Sequence, residues 1–198
     1  LEQNKIILLY GKNEGYKSEC INHLIKGKNK KIIFFYYEKE ILDSTNTFLE
    51  EISSKSLFEN EKIIILKRVS DKILNVIEKI KEKEIQDLIF ILNAENLEKK
   101  SKLRAFFEKS KNSVCVPFYP DNEQTLSKLA LNFLKTEKIF ISQENVNLLV
   151  NKTNGDRENL KNELEKIKYY SINGKKITSK EIMKLTNLTE NHSIMDLI

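Results

Sequence analysis

Five short apolar runs, at residues 5–9, 31–36, 62–66, 87–92 and 113–117, recur along the first 118 residues, with a segment of helical spacing after each of the first four. All five are rich in β-branched and aromatic residues and read as strands buried on both faces. Strands alternating with helices in this way predict an α/β fold, with a five-stranded parallel, doubly wound sheet flanked by helices and joined by right-handed crossovers.

The intervening helical patterns have definite inner faces. Residues 18–25 place Cys20, Ile21, Leu24 and Ile25 on one side, and Phe48, Leu49 and Ile52 form a second stripe. Ser70 and Asp71 can cap a helix carrying Ile73, Leu74, Ile77 and Ile80, and residues 99–109 present Leu103, Phe106 and Phe107. After Pro117-Phe118-Tyr119-Pro120-Asp121 the strand pattern stops. Pro120 and Asp121 are expected to start a helix with Leu126, Leu129, Phe133 and Leu134, and further helical patterns cover 142–152, 156–170 and 179–185. Asn154-Gly155 and Asn173-Gly174 punctuate them as turns. The expected organisation is an α/β domain over 1–119 and a small all-α lid domain over 120–190, hinged near residue 120.

At 198 residues the chain is long enough for two small domains, and its 40% hydrophobic and 32% charged content fits a globular protein without a membrane partner. No apolar run approaches the roughly 20 residues of a membrane-spanning helix, and no signal peptide opens the sequence, so a cytoplasmic location is expected. The net charge of +5 permits a polyanionic partner. Its lysines, however, alternate with glutamates along helices (Glu78, Lys79, Lys81, Glu82, Lys83, Glu84), the pattern of a solvated face. Cys20 and Cys115 have no second Cys or His at metal-ligand spacing, and His23 and His192 are isolated. Neither a metal site nor a catalytic set is expected. The first residue is Leu, and the last residues stop within an apolar periodic segment, so both ends read as cut.

The chemistry suggested first is nucleotide binding. The run Ile6-Ile7-Leu8-Leu9-Tyr10-Gly11-Lys12-Asn13-Glu14-Gly15-Tyr16-Lys17-Ser18 reads as a buried strand, a glycine turn and a helix start. Gly11, Lys17 and Ser18 match the P-loop pattern, but Tyr16 stands where its second glycine belongs. That glycine lets backbone N–H groups approach the phosphates, and a ring there crowds them. A P-loop ATPase also carries an acid at the end of a neighbouring strand to hold magnesium and orient water. Here that strand ends in Lys67-Arg68, and the next ends in Asn93-Ala94-Glu95. Gly155-Asp156-Arg157 reads either as a sensor arginine or as a turn before a charged helix start. Hydrolysis is therefore not expected, and no cofactor is assigned. A P-loop ATPase or nucleotide switch using Gly11, Lys17 and Ser18 is the alternative.

Within residues 53–60, otherwise polar, Leu57 and Phe58 form an adjacent apolar pair. They read either as a staple tucked under the sheet edge or as an exposed anchor that fills a partner's hydrophobic pocket.

Several of these segments, in this order, resemble the delta subunit of the bacterial DNA polymerase III clamp loader. They are Leu9-Tyr10-Gly11 after the first strand, Ser56-Leu57-Phe58 before the strand that ends in Arg68, and Lys100-Ser101-Lys102-Leu103-Arg104 with Phe106-Phe107-Glu108. Pro117, Tyr119 and Asp121 follow, then Gly155-Asp156-Arg157 with Glu163-Leu164-Glu165-Lys166. The resemblance implies an AAA+-like fold that has lost its ATPase activity and grips the ring-shaped sliding clamp. It assigns the clamp contact to Leu57 and Phe58. It implies as partners the sliding clamp, the other loader subunits through a helical collar domain, and primed DNA within the complex. Residues 191–198 would then begin that collar. The Lys17-Ser18 pair is additional to the family's pattern.

Overall fold

The computed structural model describes residues 6–26, 31–54, 61–83, 85, 88–172, 174 and 177–186. The chain divides into two compact units, Leu1–Tyr119 and Pro120–Ile198. The collar segment expected at 191–198, and Leu57 and Phe58, lie outside the described residues.

In the first unit β1 (Ile6–Tyr10), α1 (Glu14–Ile25), β2 (Lys31–Tyr37), α2 (Glu38–Asp43), α3 (Thr45–Ser53) and β3 (Glu61–Val69) follow in order. A single 3-10 turn at Asp71–Ile73 leads into α4 (Leu74–Glu82), then β4 (Leu88–Ala94), α5 (Lys102–Lys109) and β5 (Ser113–Pro117). The strands form one parallel five-stranded sheet in the order β2-β3-β4-β1-β5. Ile64, Leu66, Phe90, Leu92 and Leu8 project to one face, against Phe48, Ile77 and Leu103. Ile63, Ile65, Ile91, Ile7 and Leu9 project to the other, against Ile21 of α1 and Phe118. Strand by strand, the period of two thus supplies both cores of a three-layer sandwich. The α/β sheet flanked by helices expected from the sequence is the fold observed.

Three expectations need correction. The runs at 31–36 and 113–117 are not buried on both faces, because β2 and β5 are the edge strands: Ile32, Ile33, Phe34, Phe35 and Tyr37 are exposed, and β5 is half-buried with its last residue exposed. The short α2 was not foreseen; its start is held by Glu40, whose carboxylate accepts the Tyr37 backbone N–H at 2.7 Å. In the second unit, α6 (Glu123–Thr136) is capped by Asn122 rather than begun at Pro120-Asp121. Asn122 Oδ1 accepts the Thr125 N–H and the Thr125 hydroxyl oxygen accepts the Asn122 N–H, a reciprocal cap.

The rest of the second unit is helical: α7 (Gln143–Lys152), α8 (Arg157–Ser171) and α9 (Ser179–Leu185). With α6 they enclose Leu126, Ala130, Val146, Leu149, Leu160, Leu164, Ile167 and Ile182. The Gly155-Asp156-Arg157 segment is structural here. Gly155 takes φ +80°, Asp156 caps α8 by accepting the Glu158 and Asn159 N–H groups, and Arg157 donates to both carboxylate oxygens of Asp121 at 3.0 and 3.1 Å.

A second cap reaches between elements of the α/β unit. Asp71 accepts the Ser101 hydroxyl at 2.5 Å and the Lys102 and Leu103 N–H groups at 3.0 Å, which fixes the start of α5 beside the 3-10 turn. Burial acts to raise the Asp71 pKa, but the hydrogen bonds from Ser101, Leu103 and Lys102 outweigh it and the net shift is downward. A depressed folded-state pKa stabilises the fold above the ordinary carboxylate range, and that contribution disappears as pH falls through the folded value. We expect Asp71→Ala to lower unfolding free energy by about 1 kcal/mol at neutral pH, with the difference from wild type shrinking below about pH 4 in urea titrations.

The tightest backbone approach is at Gly11, with φ +123°. A Cβ there would lie 2.2 Å from the Phe118 carbonyl oxygen, whereas a Cβ on Gly155 would meet nothing within 4 Å. Gly11→Ala should therefore cost about 3 kcal/mol or more, and Gly155→Ala only the roughly 1 kcal/mol of its left-handed backbone, measured by chemical denaturation.

Candidate functional site

The carboxyl end of a parallel sheet is where a doubly wound fold places ligands, and the glycine turn lies there. It is short. Strand β1 ends at Tyr10 and helix α1 begins at Glu14, so only Gly11, Lys12 and Asn13 connect them. The sequence reading started the helix at residue 18; Asn13 starts it earlier, because its side-chain oxygen accepts the Tyr16 N–H at 3.0 Å. Gly15, Tyr16 and Lys17 are consequently helical, and no loop spans from Gly11 to Lys17 to wrap a phosphate.

The N–H groups of Gly11, Asn13, Glu14 and Lys17 are also engaged. Gly11 donates to Glu95 O at 3.0 Å, Asn13 to Phe118 O at 3.4 Å, Glu14 to Lys12 O at 3.1 Å and Lys17 to Asn13 O at 3.1 Å. Asn13 Nδ2 adds a bond to Tyr119 O at 3.0 Å. Tyr16 is half exposed, with its ring edge-to-face against Phe118 at 5.1 Å between centroids.

Lys17 is fully buried. Its Nζ donates to the Ala94 carbonyl oxygen at 2.5 Å and to Glu14 Oε1 at 2.6 Å. The ammonium therefore clasps the end of β4, and its charge is answered by a carboxylate of its own helix. Ser18 is exposed on the next position.

Beside this clasp lies an open cleft of about 630 Å³ lined by Gly11, Lys12, Glu14, Ser18, Tyr37 and Lys67, with Arg68, Asn93, Glu95 and Asn96 completing it. The end of β3 is irregular: the register with β4 shifts between Lys67 and Val69, and Arg68 sits in left-handed backbone at φ 56°. Such a bulge re-aims side chains. Lys67 Nζ lies 5.0 Å from the Phe35 ring centroid and the Arg68 guanidinium carbon 5.8 Å from that of Tyr37. On β4, Asn93 Nδ2 reaches Glu14 Oε2 at 3.5 Å. Cations thus occupy the strand end at which an ATPase carries its acid.

Of the residues singled out in the sequence, the fold brings Gly11, Ser18, Lys67, Arg68 and Asn93 to this cleft and turns Lys17 inward. Both thiols are half-buried, and burial pushes their pKa values up, that of Cys115 to about 11, so neither is a thiolate near neutral pH. The sequence reading missed the exposed Phe35 and Tyr37 rings. The sequence shows an apolar run at 31–36, but which run lies at a sheet edge cannot be read from the run itself.

Comparison with known proteins follows the same lines. No protein-family model matches the chain. The curated "Probable DNA polymerase III subunit delta" of Rickettsia prowazekii is 24% identical over 193 residues, covering 96% of this chain and 58% of that relative. The solved Bacillus subtilis DNA clamp loader delta protein superposes with a TM-score of 0.57 at 19% identity, over 93% of this chain and 59% of that one. This chain resembles the clamp-loader delta subunit.

It spans less than two thirds of either delta protein's length. The Thermotoga maritima RuvB Holliday junction branch migration motor shares the fold, with a TM-score of 0.58 at 11% identity over 90% of this chain. At these identities both likenesses show the shared fold alone. Among the described residues no helix is long and apolar enough to cross a membrane.

The Lys17 clasp makes a stability prediction that a phosphate lysine would not. Lys17→Met keeps the buried stem but leaves the Ala94 carbonyl without its donor, and should cost about 1–2 kcal/mol. Lys17→Ala also opens a cavity and should cost about 2 kcal/mol more, both read from urea midpoints. An exposed phosphate-binding lysine would tolerate either change.

Proposed function

We propose that the chain is a non-hydrolysing, clamp-gripping part of a DNA polymerase III delta subunit. The observation that carries the reading is the match to a delta-named relative over 96% of the chain. The inward-turned Lys17 supports its non-hydrolysing half, since phosphoryl transfer depends on positioning and charge at the phosphates, and this lysine's ammonium is engaged elsewhere.

In this reading Leu57 and Phe58 are the anchor that enters a hydrophobic pocket of the sliding clamp. A subunit that fits the open ring better than the closed one shifts the ring toward opening by the difference in affinity, without chemistry of its own. Nucleotide bound by other loader subunits governs when the anchor is presented. Residues 120–190 act as the lid-type domain, 191–198 begin the collar that joins the pentameric loader, and primed DNA is met within the assembled complex.

The test is a titration against the sliding clamp. Leu57→Ala with Phe58→Ala should weaken binding by about 100-fold or more while leaving the unfolding midpoint unchanged. Unchanged affinity of that double variant would defeat the assignment. Calorimetry with ATP and magnesium should give no binding heat; heat that vanishes in Lys17→Met would restore the nucleotide-switch alternative.

A further inference from the structure

The cleft continues onto a surface that neither the clamp anchor nor the glycine turn uses. Ile33, Phe35 and Tyr37 alternate along β2 and so share one face of the sheet, the face on which Ile63 and Ile65 of β3 meet α1. Those β3 neighbours are buried, yet Phe35 is 57% exposed and Tyr37 47% exposed. Large aromatic rings standing half in water at an edge strand are a feature the core does not explain. Each ring has a cation beside it, Lys67 by Phe35 and Arg68 by Tyr37, supplied by the bulged end of β3. Arg68 reaches its place from a backbone conformation that costs a non-glycine residue about 1 kcal/mol or more, and such strain is commonly kept at working sites.

We propose that this stripe is a stacking site for single-stranded nucleic acid, with bases on Phe35 and Tyr37 and the phosphate backbone drawn to Lys67 and Arg68. Charge complementarity selects this occupant. Lys12 lines the same cleft and Lys39 follows Tyr37 by two residues, and both are exposed. Glu14 is paired with Lys17, and Glu38 and Glu40 keep their negative charge but are held by the Ser70 N–H and hydroxyl and by the Tyr37 N–H. Glu95 lines the cleft as well, from the end of β4, while Lys67 and Arg68 are the charges beside the rings. A single strand rather than a duplex fits the rings. Residues 35 and 37 lie about 6.6 Å apart at the parallel-strand rise, wider than the spacing of stacked bases, so the bases they meet must be unstacked. Aromatic platforms flanked by cations bind single strands in this way. The proposal is independent of the clamp reading, because it uses none of the anchor residues.

Fluorescence anisotropy of the 198-residue chain with a labelled oligothymidylate and with a duplex of equal length tests it. The oligothymidylate should bind more tightly than the duplex. Phe35→Leu with Tyr37→Leu, which keeps apolar bulk but removes the rings, should weaken single-strand binding about tenfold or more and leave duplex binding unchanged. Arg68→Gly relieves the left-handed backbone, so the fold is retained, and with Lys67→Gln it should lower the logarithmic salt slope by about 0.7 per cation removed. Equal affinity for the two nucleic acids, or single-strand affinity unmoved by the leucine pair, overturns the proposal and leaves the stripe to a protein partner. Clamp titrations of the same variants keep the two readings apart: binding to the clamp should be unaffected.

Discussion

The Phe118 carbonyl occupies the space that a side chain on residue 11 would need, and the α/β unit is assembled around that approach. Phe118 N–H donates to Tyr10 O at 2.7 Å, Asn13 N–H returns to Phe118 O, and Gly11 N–H reaches Glu95 O just past the end of β4. Three chain segments that are distant in sequence are therefore held at one three-residue turn. The shortness of that turn sets the rest. It leaves Asn13 as the cap, so α1 starts at Glu14 and its first turn brings Lys17 over the end of β4. A lysine positioned to receive phosphate across a longer loop is instead consumed by a backbone carbonyl and its own helix's carboxylate.

Strand content was legible because period and composition agree at β1, β3 and β4, whose residues are buried almost without interruption. The same reasoning overreached at β2. Ile32 through Tyr37 look equally apolar in sequence, and only the order β2-β3-β4-β1-β5 makes that strand an edge. Helix starts were misplaced for a related reason: Asn13 and Asn122 are effective caps, but asparagine is so abundant in this chain that neither stands out. The motif Gly11-Lys17-Ser18 was legible as letters but not as geometry, because a pattern specifies spacing along the chain and not that residues 14–17 are helical with Lys17 turned inward.

The segments that carried the resemblance have structural work in this fold. Tyr10-Gly11 makes the close turn, Ser101 and the N–H groups of residues 102 and 103 meet Asp71, and Asp156-Arg157 caps one helix while pairing with Asp121. These contacts hold the elements of this fold in place. Agreement at them carries architecture, and the sheet bears it out; it says less about what the architecture grips.

That separation is visible at the carboxyl end of the sheet. Turning Lys17 inward satisfies a carbonyl at the end of β4, while Lys67 and Arg68 stand at the end of the neighbouring β3. The sheet's carboxyl end keeps an open cleft of about 630 Å³ whose margin includes Tyr37, Lys67 and Arg68. The exposed rings of β2, with two cations drawn over them by a strained bulge, are the described margin with the least to do in the core. Their cost in exposed apolar area is one that a stability argument alone would remove, which is why a ligand is the economical explanation.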